Sequence, residues 1–334
     1  MPASKTVFMF SGQGSQYFQM GRELFKRNDI FHEWMLRLDP IARELTGHSV
    51  IETLYSEASR KGESFDRTLL THPAIFMVEY ALAQALMHAG VSPDMVLGVS
   101  MGSFAAATVG GFIEVEDALV SVVHQAIALE QCERGGMIAI LANPDLFAED
   151  FLNNRSELAA VNFSSHFVIS ARWNDLEYIE AVLKKGNVGY QRLPVSEAFH
   201  SRWIDKAKAP FESFMRSIRC RQGGLSLGCC DQAAVLYGLS ADYFWNVVRR
   251  PIRFHETIAR LEQLSSHRYI DVGPAGTLAT FLRYGMPATR STVHAILTPY
   301  GLDQKNLTAL LASSQKLMPN SRPTRFTPSR MFRL

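Results

Sequence analysis

The apolar run "TVFMF" (6–10) stops at "SGQGSQ", and hydrophobic positions resume at helical spacing in "YFQMGRELF". That succession predicts a strand, a Gly-rich loop and a helix. In "HPAIFMVEYALAQALMHAG" (72–90) apolar positions recur over a long stretch that carries Glu79, which predicts a core-facing amphipathic helix. "DMVLGVS" (94–100) is a continuous apolar run, the mark of a buried strand, and "MGSFAAATVGG" a helix of small residues ending near Gly110 and Gly111. Strands alternating with helices predict a parallel α/β sheet.

From about 128 the texture changes. "GGMIAILA", "LAAVNFSSHFVISAR" and "NVGYQRLPV" are strand-like and are separated by the polar helical segment "NDLEYIEAVLKK". A small α+β subdomain inserted in the larger one fits this pattern. Beyond it, "SRWIDKAKAPFESFMRSI" predicts a helix, "HRYIDVGPAGTLATFL" a strand, turn and helix, and "GLDQKNLTALLASSQKLM" a last helix. The boundaries drawn are 1–127 with 197–312 for the large subdomain and 128–196 for the small one. A C-terminal tail at 313–334 ends in "PNSRPTRFTPSRMFRL", which has arginines and no acid; it reads as flexible or as a segment docking an acidic partner.

The chain has 334 residues, enough for a large core. With 34 Lys+Arg against 32 Asp+Glu, the surface lacks the excess positive charge that nonspecific nucleic-acid binding requires, so no nucleic-acid partner is expected. The N-terminus has no signal-peptide pattern, and no window is expected to span a membrane, since Glu79 interrupts the most apolar one. Cys132, Cys220, Cys229 and Cys230 show no disulfide framework, which suits reduced thiols in a cytoplasm, and the 10 histidines lack zinc-ligand spacing, so no metal is expected.

Within "LGVSMGSF", Ser100 stands between Gly98 and Gly102 at a strand-to-helix junction. This is the G-x-S-x-G pattern of the nucleophile elbow, whose glycines permit a tight turn that holds the serine hydroxyl above the sheet. The N–H groups and positive end of the following helix favour an oxyanion there. A serine that only caps the helix fits the same segment. A nucleophilic serine needs a base, and "EAFHSRW" offers His200 just beyond the small subdomain, though a lone histidine is as readily structural.

Six segments, in order, resemble the malonyl-CoA:acyl carrier protein transacylases and the acyltransferase domains of fatty acid and polyketide synthases. "FSGQGSQYFQMGREL" resembles their G-Q-G-S-Q loop, "THPAIFMVEYALAQAL" their T-x-P-A helix and "GVSMGS" their G-H-S-x-G-E elbow. "AFHS", "FWNVVRRPIRF" and "DVGPAGTLATF" are similar to the histidine motif, to a stretch before the last strands and to the terminal G-P turn. The resemblance spans about 7 to 310. It implies an α/β-hydrolase-like core with a parallel sheet and an inserted ferredoxin-like subdomain. Ser100 is then the nucleophile, His200 the general base, and the backbone N–H groups of Gln13 and Met101 the oxyanion hole. A backbone carbonyl around Val247 is expected to orient the histidine. Asn162 matches a polar pocket position or is a packing residue, and Phe199 precedes the histidine at the pocket.

Three positions depart from that pattern. Malonyl-type members carry an arginine whose planar fork pairs with the acyl group's free carboxylate; here the position is Gln125. Losing one partner of a buried ion pair costs roughly 3–5 kcal/mol, enough to reject malonyl groups by a factor of about a thousand. Val99 stands for the usual histidine and Ser103 for the usual glutamate, so Gln125, Val99, Ser103, Asn162 and Phe199 are taken as the acyl pocket, made for chains without a free carboxylate.

The resemblance implies chemistry on an acyl thioester, with no cofactor beyond the phosphopantetheine of an acyl carrier protein or CoA that delivers the acyl group. Three functions remain open: hydrolysis of acyl groups from carrier proteins, loading of a non-malonyl unit by a discrete transacylase, and a non-catalytic docking role that keeps the fold.

Overall fold

The structure, a computed structural model, describes residues 4–315. The last described helix runs Asp303–Gln315, so the tail predicted to start at 313 begins inside a helix, and 316–334 lie outside the described residues.

Ten strands are described: β1 (Lys5–Phe10), β2 (Met95–Gly98), β3 (Gly135–Leu141), β4 (Ser156–Phe163), β5 (His166–Arg172), β6 (Gly189–Arg192), β7 (Ser226–Cys229), β8 (Ala234–Leu236), β9 (His267–Asp271) and β10 (Thr292–Ala295). Six form one sheet in the order β10-β9-β1-β2-β7-β8. All its pairs are parallel except that of β7 with the edge strand β8. β1 lies at the centre with Val7, Phe8, Met9 and Phe10 fully buried, as a parallel strand covered by helices on both faces must be.

Residues 135–192 form a second, antiparallel sheet in the order β4-β5-β3-β6. A short helical segment precedes β4 and the helix Trp173–Lys185 precedes β6, giving the β-α-β-β-α-β succession of a ferredoxin-like unit. Leu176, Ile179 and Leu183 of that helix are buried on this sheet beside Ile138, Ile140 and Ile169. The small sheet is joined at backbone level to the segment after the helix Tyr243–Arg249, where Val161 N–H donates to the Ile252 carbonyl (3.0 Å) and Ile252 N–H to the Ala159 carbonyl (2.8 Å).

The helix Thr68–His88 differs from its sequence reading. It is not amphipathic: 17 of its 21 residues are buried, because it lies between the helices Asp29–Thr46 and Val115–Leu129 and touches the helix Gly102–Val109. By length and composition alone it is apolar enough to cross a membrane, contrary to the expectation that no window qualifies, yet 89% of its most apolar window is buried inside the protein. Its all-round apolar surface is that of a central core helix. Glu79 in its middle is the exception, and its partner is Ser11, in the loop after β1.

Candidate active site

The elbow is built from close approaches. A Cβ at Gly98 would lie 2.3 Å from the Cα of Ser103, and one at Gly102 2.3 Å from the carbonyl oxygen of Ser11. Neither position has room for a side chain, because the helix Gly102–Val109 starts hard against the ends of β1 and β2. Ser100 itself takes φ 54°, a left-handed conformation rare for a residue with a Cβ, which lifts its hydroxyl off the sheet.

Ser100 Oγ is 2.8 Å from His200 Nε2. On the other side of the ring, His200 Nδ1 is 2.7 Å from the carbonyl oxygen of Arg250. A carbonyl can only accept, so Nδ1 carries the ring proton and Nε2 is the bare nitrogen that receives the Ser100 O–H. The orienting group is a backbone carbonyl, as the resemblance implies, and it is that of Arg250, three residues beyond Val247, which is buried within the helix Tyr243–Arg249. The chain leaves that helix at Arg250, which frees the carbonyl to turn toward the ring. His200 also has positive φ (60°), and its N–H donates to Val248 (3.0 Å).

Burial pushes the His200 imidazole down to about 4, with the Arg249 charge acting in the same direction and the Arg250 carbonyl against it. Asp205 (2.5 Å) and Glu157 (3.7 Å) pair with that guanidinium and offset its charge. Arg250 reaches back to the carboxylate of Asp231 (3.6 Å), so the segment carrying the orienting carbonyl is tied both to the end of β7 and, through Ile252, to β4.

Facing the serine is the loop after β1. A Cβ on Gly12 would sit 2.8 Å from Ser100 Cβ, which makes glycine obligatory there. Glu79 holds the loop from below: its Oε1 accepts from the N–H of Ser11 (2.7 Å) and from the Ser11 hydroxyl (3.0 Å), while Ser15 Oγ donates to the Gly12 carbonyl (2.7 Å). Burial drives the Glu79 carboxyl well above the usual range. Among the described residues, no hydrogen-bond partner meets the backbone N–H of Gln13 or of Met101. These are the two groups the resemblance assigns to an oxyanion.

A cavity of about 330 Å³ opens at Ser100 and His200 between the two sheets. One wall is the Gly-rich loop with Gln13; the other is the inner face of the small sheet, with Met137, Ala139, Ala160 and Val168, closed by Leu193, Leu278 and Phe281. Val99, Asn162 and Phe199 line it as expected for pocket residues, and the Asn162 side-chain amide lies 3.0 Å from Nδ1 of His166, a lining residue that sequence reasoning missed. Ser103 and Gln125 do not line it. Ser103 is wedged under Gly98, and Gln125 is fully buried, donating through Nε2 to the Phe244 carbonyl (3.3 Å). None of the 22 lining residues is Lys, Arg, Asp or Glu.

Glu79 and Arg250 were likewise missed as site residues. Glu79 left a signal, a carboxylate amid an apolar helix; a backbone carbonyl leaves none.

A serine elbow on an α/β-hydrolase-like core, with a ferredoxin-like unit closing a cavity over it, defines the acyltransferase class of fold. The model of the acyl transferase domain matches residues 7–319, and the chain belongs to that family. It is similar to the polyketide biosynthesis acyltransferase homologs BaeD of Bacillus velezensis (44% identical over 304 residues, 90% of this chain and 94% of that protein) and PksD of Bacillus subtilis (42%, same coverage). Among solved structures, the loading acyltransferase of the avermectin modular polyketide synthase superposes with a TM-score of 0.85 at 25% identity, covering 93% of this chain and 99% of the other.

Proposed function

We propose that this chain is a Ser-His acyl-enzyme catalyst that takes acyl groups without a free carboxylate from acyl carrier protein, or from CoA, and passes them to water. The setting that the relatives' names suggest is polyketide biosynthesis, where such a hydrolase clears acyl groups from carrier proteins. The observation that carries this reading is a cavity at the Ser100–His200 pair with no charged side chain in its lining. A buried carboxylate without a cation is strongly disfavoured, whereas plain acyl chains suit such walls.

The chemistry follows from the geometry. His200 Nε2 takes the Ser100 proton as Oγ attacks the thioester carbonyl. The N–H groups of Gln13 and Met101 receive the oxyanion. The intermediate collapses, the C–S bond breaks, and the imidazolium returns its proton to the departing thiolate, leaving a serine ester. Water then takes the thiol's place: His200 removes its proton as the oxygen adds to the ester carbonyl, and on collapse the Ser100 Oγ–carbon bond breaks while the imidazolium returns its proton to Oγ, which yields the carboxylic acid and the free serine. The acyl group arrives on the phosphopantetheine arm of its carrier, and the chain needs no cofactor of its own.

The test is a partition ratio. Acetyl-carrier protein is added to the enzyme with excess unacylated carrier, and free acetate is compared with newly acylated carrier. Dominant free acid supports hydrolysis; dominant transfer, with acid forming only at the background rate, makes the protein a transacylase for non-malonyl units. Neither free acid above background nor newly acylated carrier points to a docking protein that keeps the fold.

A further inference from the structure

The carbonyl of Gly12 and the N–H of Gln13 belong to one peptide unit. A trans peptide is planar, so its C=O and N–H point in opposite directions, and whatever holds the carbonyl aims the N–H. Here Ser15 Oγ holds it, at 2.7 Å. A carbonyl can only accept, so the one proton of Ser15 is committed to that bond. Ser15 Oγ is left to accept, and the Ser11 hydroxyl lies 3.0 Å from it. Ser11 is fixed in turn by Glu79 Oε1, at its N–H (2.7 Å) and at its hydroxyl (3.0 Å). All three side chains are buried, where hydrogen bonds are stronger than in water.

The peptide plane needs such a hold. A Cβ at Gly12 would lie 2.8 Å from Ser100 Cβ, so the position must be glycine, and glycine leaves the following peptide free to turn. The same Cβ would lie 3.3 Å from Ser100 Oγ, so the Gly12–Gln13 peptide starts beside the nucleophile. The loop beyond is braced separately. Gln13 Nε2 donates to Thr71 Oγ1 (2.7 Å) and the Gly14 N–H to Gln16 Oε1 (2.7 Å), while Gln16 Nε2 donates to the carbonyls of Phe65 (2.9 Å) and Pro194 (2.7 Å). None of these bonds grips the Gly12–Gln13 peptide itself. Turned over, that peptide would present its carbonyl oxygen to a developing oxyanion and repel it.

We infer that Ser15 is a positioning residue for the oxyanion hole: through the Gly12 carbonyl it turns the Gln13 N–H toward the thioester oxygen, with Ser11 and Glu79 holding Ser15 in place. The inference rests on the acyl-enzyme reading above and adds to it the groups that aim one of its two donors. Ser15 gives its proton to the loop and not to the substrate, so its loss should be felt where charge develops on oxygen and not in the binding of the ground state.

The experiment separates those two states. Ser15→Ala should lower kcat/KM about 10- to 100-fold, a part of the roughly 10² to 10³-fold that loss of a whole oxyanion donor costs. A trifluoromethyl ketone carried on pantetheine is the second probe: Ser100 Oγ bonds to its carbonyl carbon, the serine proton passes to His200, and the carbonyl oxygen becomes an oxyanion in the hole. Its affinity should fall by the same factor. Acetyl-pantetheine binding to the Ser100→Ala protein, where no oxyanion forms, should change less than about twofold when Ser15→Ala is added. Unchanged kcat/KM and ketone affinity overturn the inference. So does an equal loss in acetyl-pantetheine binding, which would give Ser15 a part only in the shape of the cavity. Should Ser15→Ala fail to fold, Ser11→Ala, which takes the neighbouring hydroxyl from Ser15 Oγ, should show the same signature at about three- to tenfold, and its absence overturns the inference. An unaltered protein that forms no adduct with acetyl-pantetheine or with the ketone refutes the acyl-enzyme reading itself, and the inference with it.

Discussion

Ser100 and His200, 100 residues apart in the chain, meet at 2.8 Å with both backbones in the left-handed region, at φ 54° and 60°. Such conformations in side-chain-bearing residues cost about 1–3 kcal/mol each and persist only where the surroundings enforce them. Here the enforcement is visible. Gly98 and Gly102 let the elbow close against β1 and β2, and the Val248 and Arg250 carbonyls hold the histidine at its N–H and its ring.

Replacing Ser100 by Ala should abolish the acyl-enzyme. Ser103 cannot take its place, because it is buried under Gly98 and away from the cavity. Intact-mass measurement after incubation with acetyl-carrier protein checks this, and an adduct that persists in Ser100→Ala refutes the assignment.

His200→Ala should slow acylation and deacylation alike, each by about 10² to 10⁴-fold, since one imidazole serves both half-reactions. Single-turnover rates of the two steps are the measurement. A loss confined to stability, with the rates of the folded protein kept, would make His200 structural.

The acid limb of kcat/KM should lie far below the ordinary histidine range. A base works only when neutral, and burial holds His200 down to about 4. Activity should therefore be nearly flat from about pH 8 to pH 5 and fall as the pH drops through about 4, whereas an unperturbed imidazole would halve the rate near pH 6.5. A half-maximal point near 6.5 in a protein still folded at that pH would contradict the burial argument.

Gly12→Ala tests the packing of the loop on the nucleophile. The new methyl would lie 2.8 Å from Ser100 Cβ and 3.0 Å from the Val99 carbonyl oxygen, so loop and elbow must part. A displacement on the order of 1 Å is expected to lower kcat about 10²-fold with the fold retained, measured by turnover beside a thermal melt. Unchanged turnover would show that the loop plays no part in the site.

Malonyl groups should load poorly and acetyl or longer plain acyl groups well. Gln125→Arg should improve malonyl loading, because a longer, charged side chain that reaches the cavity replaces an uncompensated carboxylate with a charge-assisted pair. Competition between malonyl and acetyl thioesters, read by adduct mass, distinguishes the outcomes, and efficient malonyl loading by the unaltered protein would refute the charge argument.

The sequence by itself determined the chemistry-bearing side chains and the order of the elements around them. Alternating strand and helix periods marked the parallel sheet, the glycines of "GVSMGS" marked a turn that holds the Ser100 hydroxyl above the sheet, and "AFHS" supplied the histidine that follows the small subdomain. These features are local: a period of two or 3.6 and a glycine at a tight turn are written in neighbouring residues. What depends on distant segments was decided only in three dimensions. The orienting carbonyl falls on Arg250, three residues beyond Val247, because any residue has a carbonyl and only the end of the preceding helix determines which one turns to the ring. Thr68–His88 is buried all round rather than on one face, since its environment is set by the helices that surround it. Glu79 becomes the anchor of the Gly-rich loop only because the fold carries that helix beneath β1, 68 residues away in sequence from Ser11. Ser103 and Gln125 follow the elbow at the right spacing for the pocket, yet neither lines it, because Ser103 packs against Gly98 and Gln125 turns to the Phe244 carbonyl; spacing along a chain determines sequence distance, and the tertiary packing determines which side chain meets the cavity.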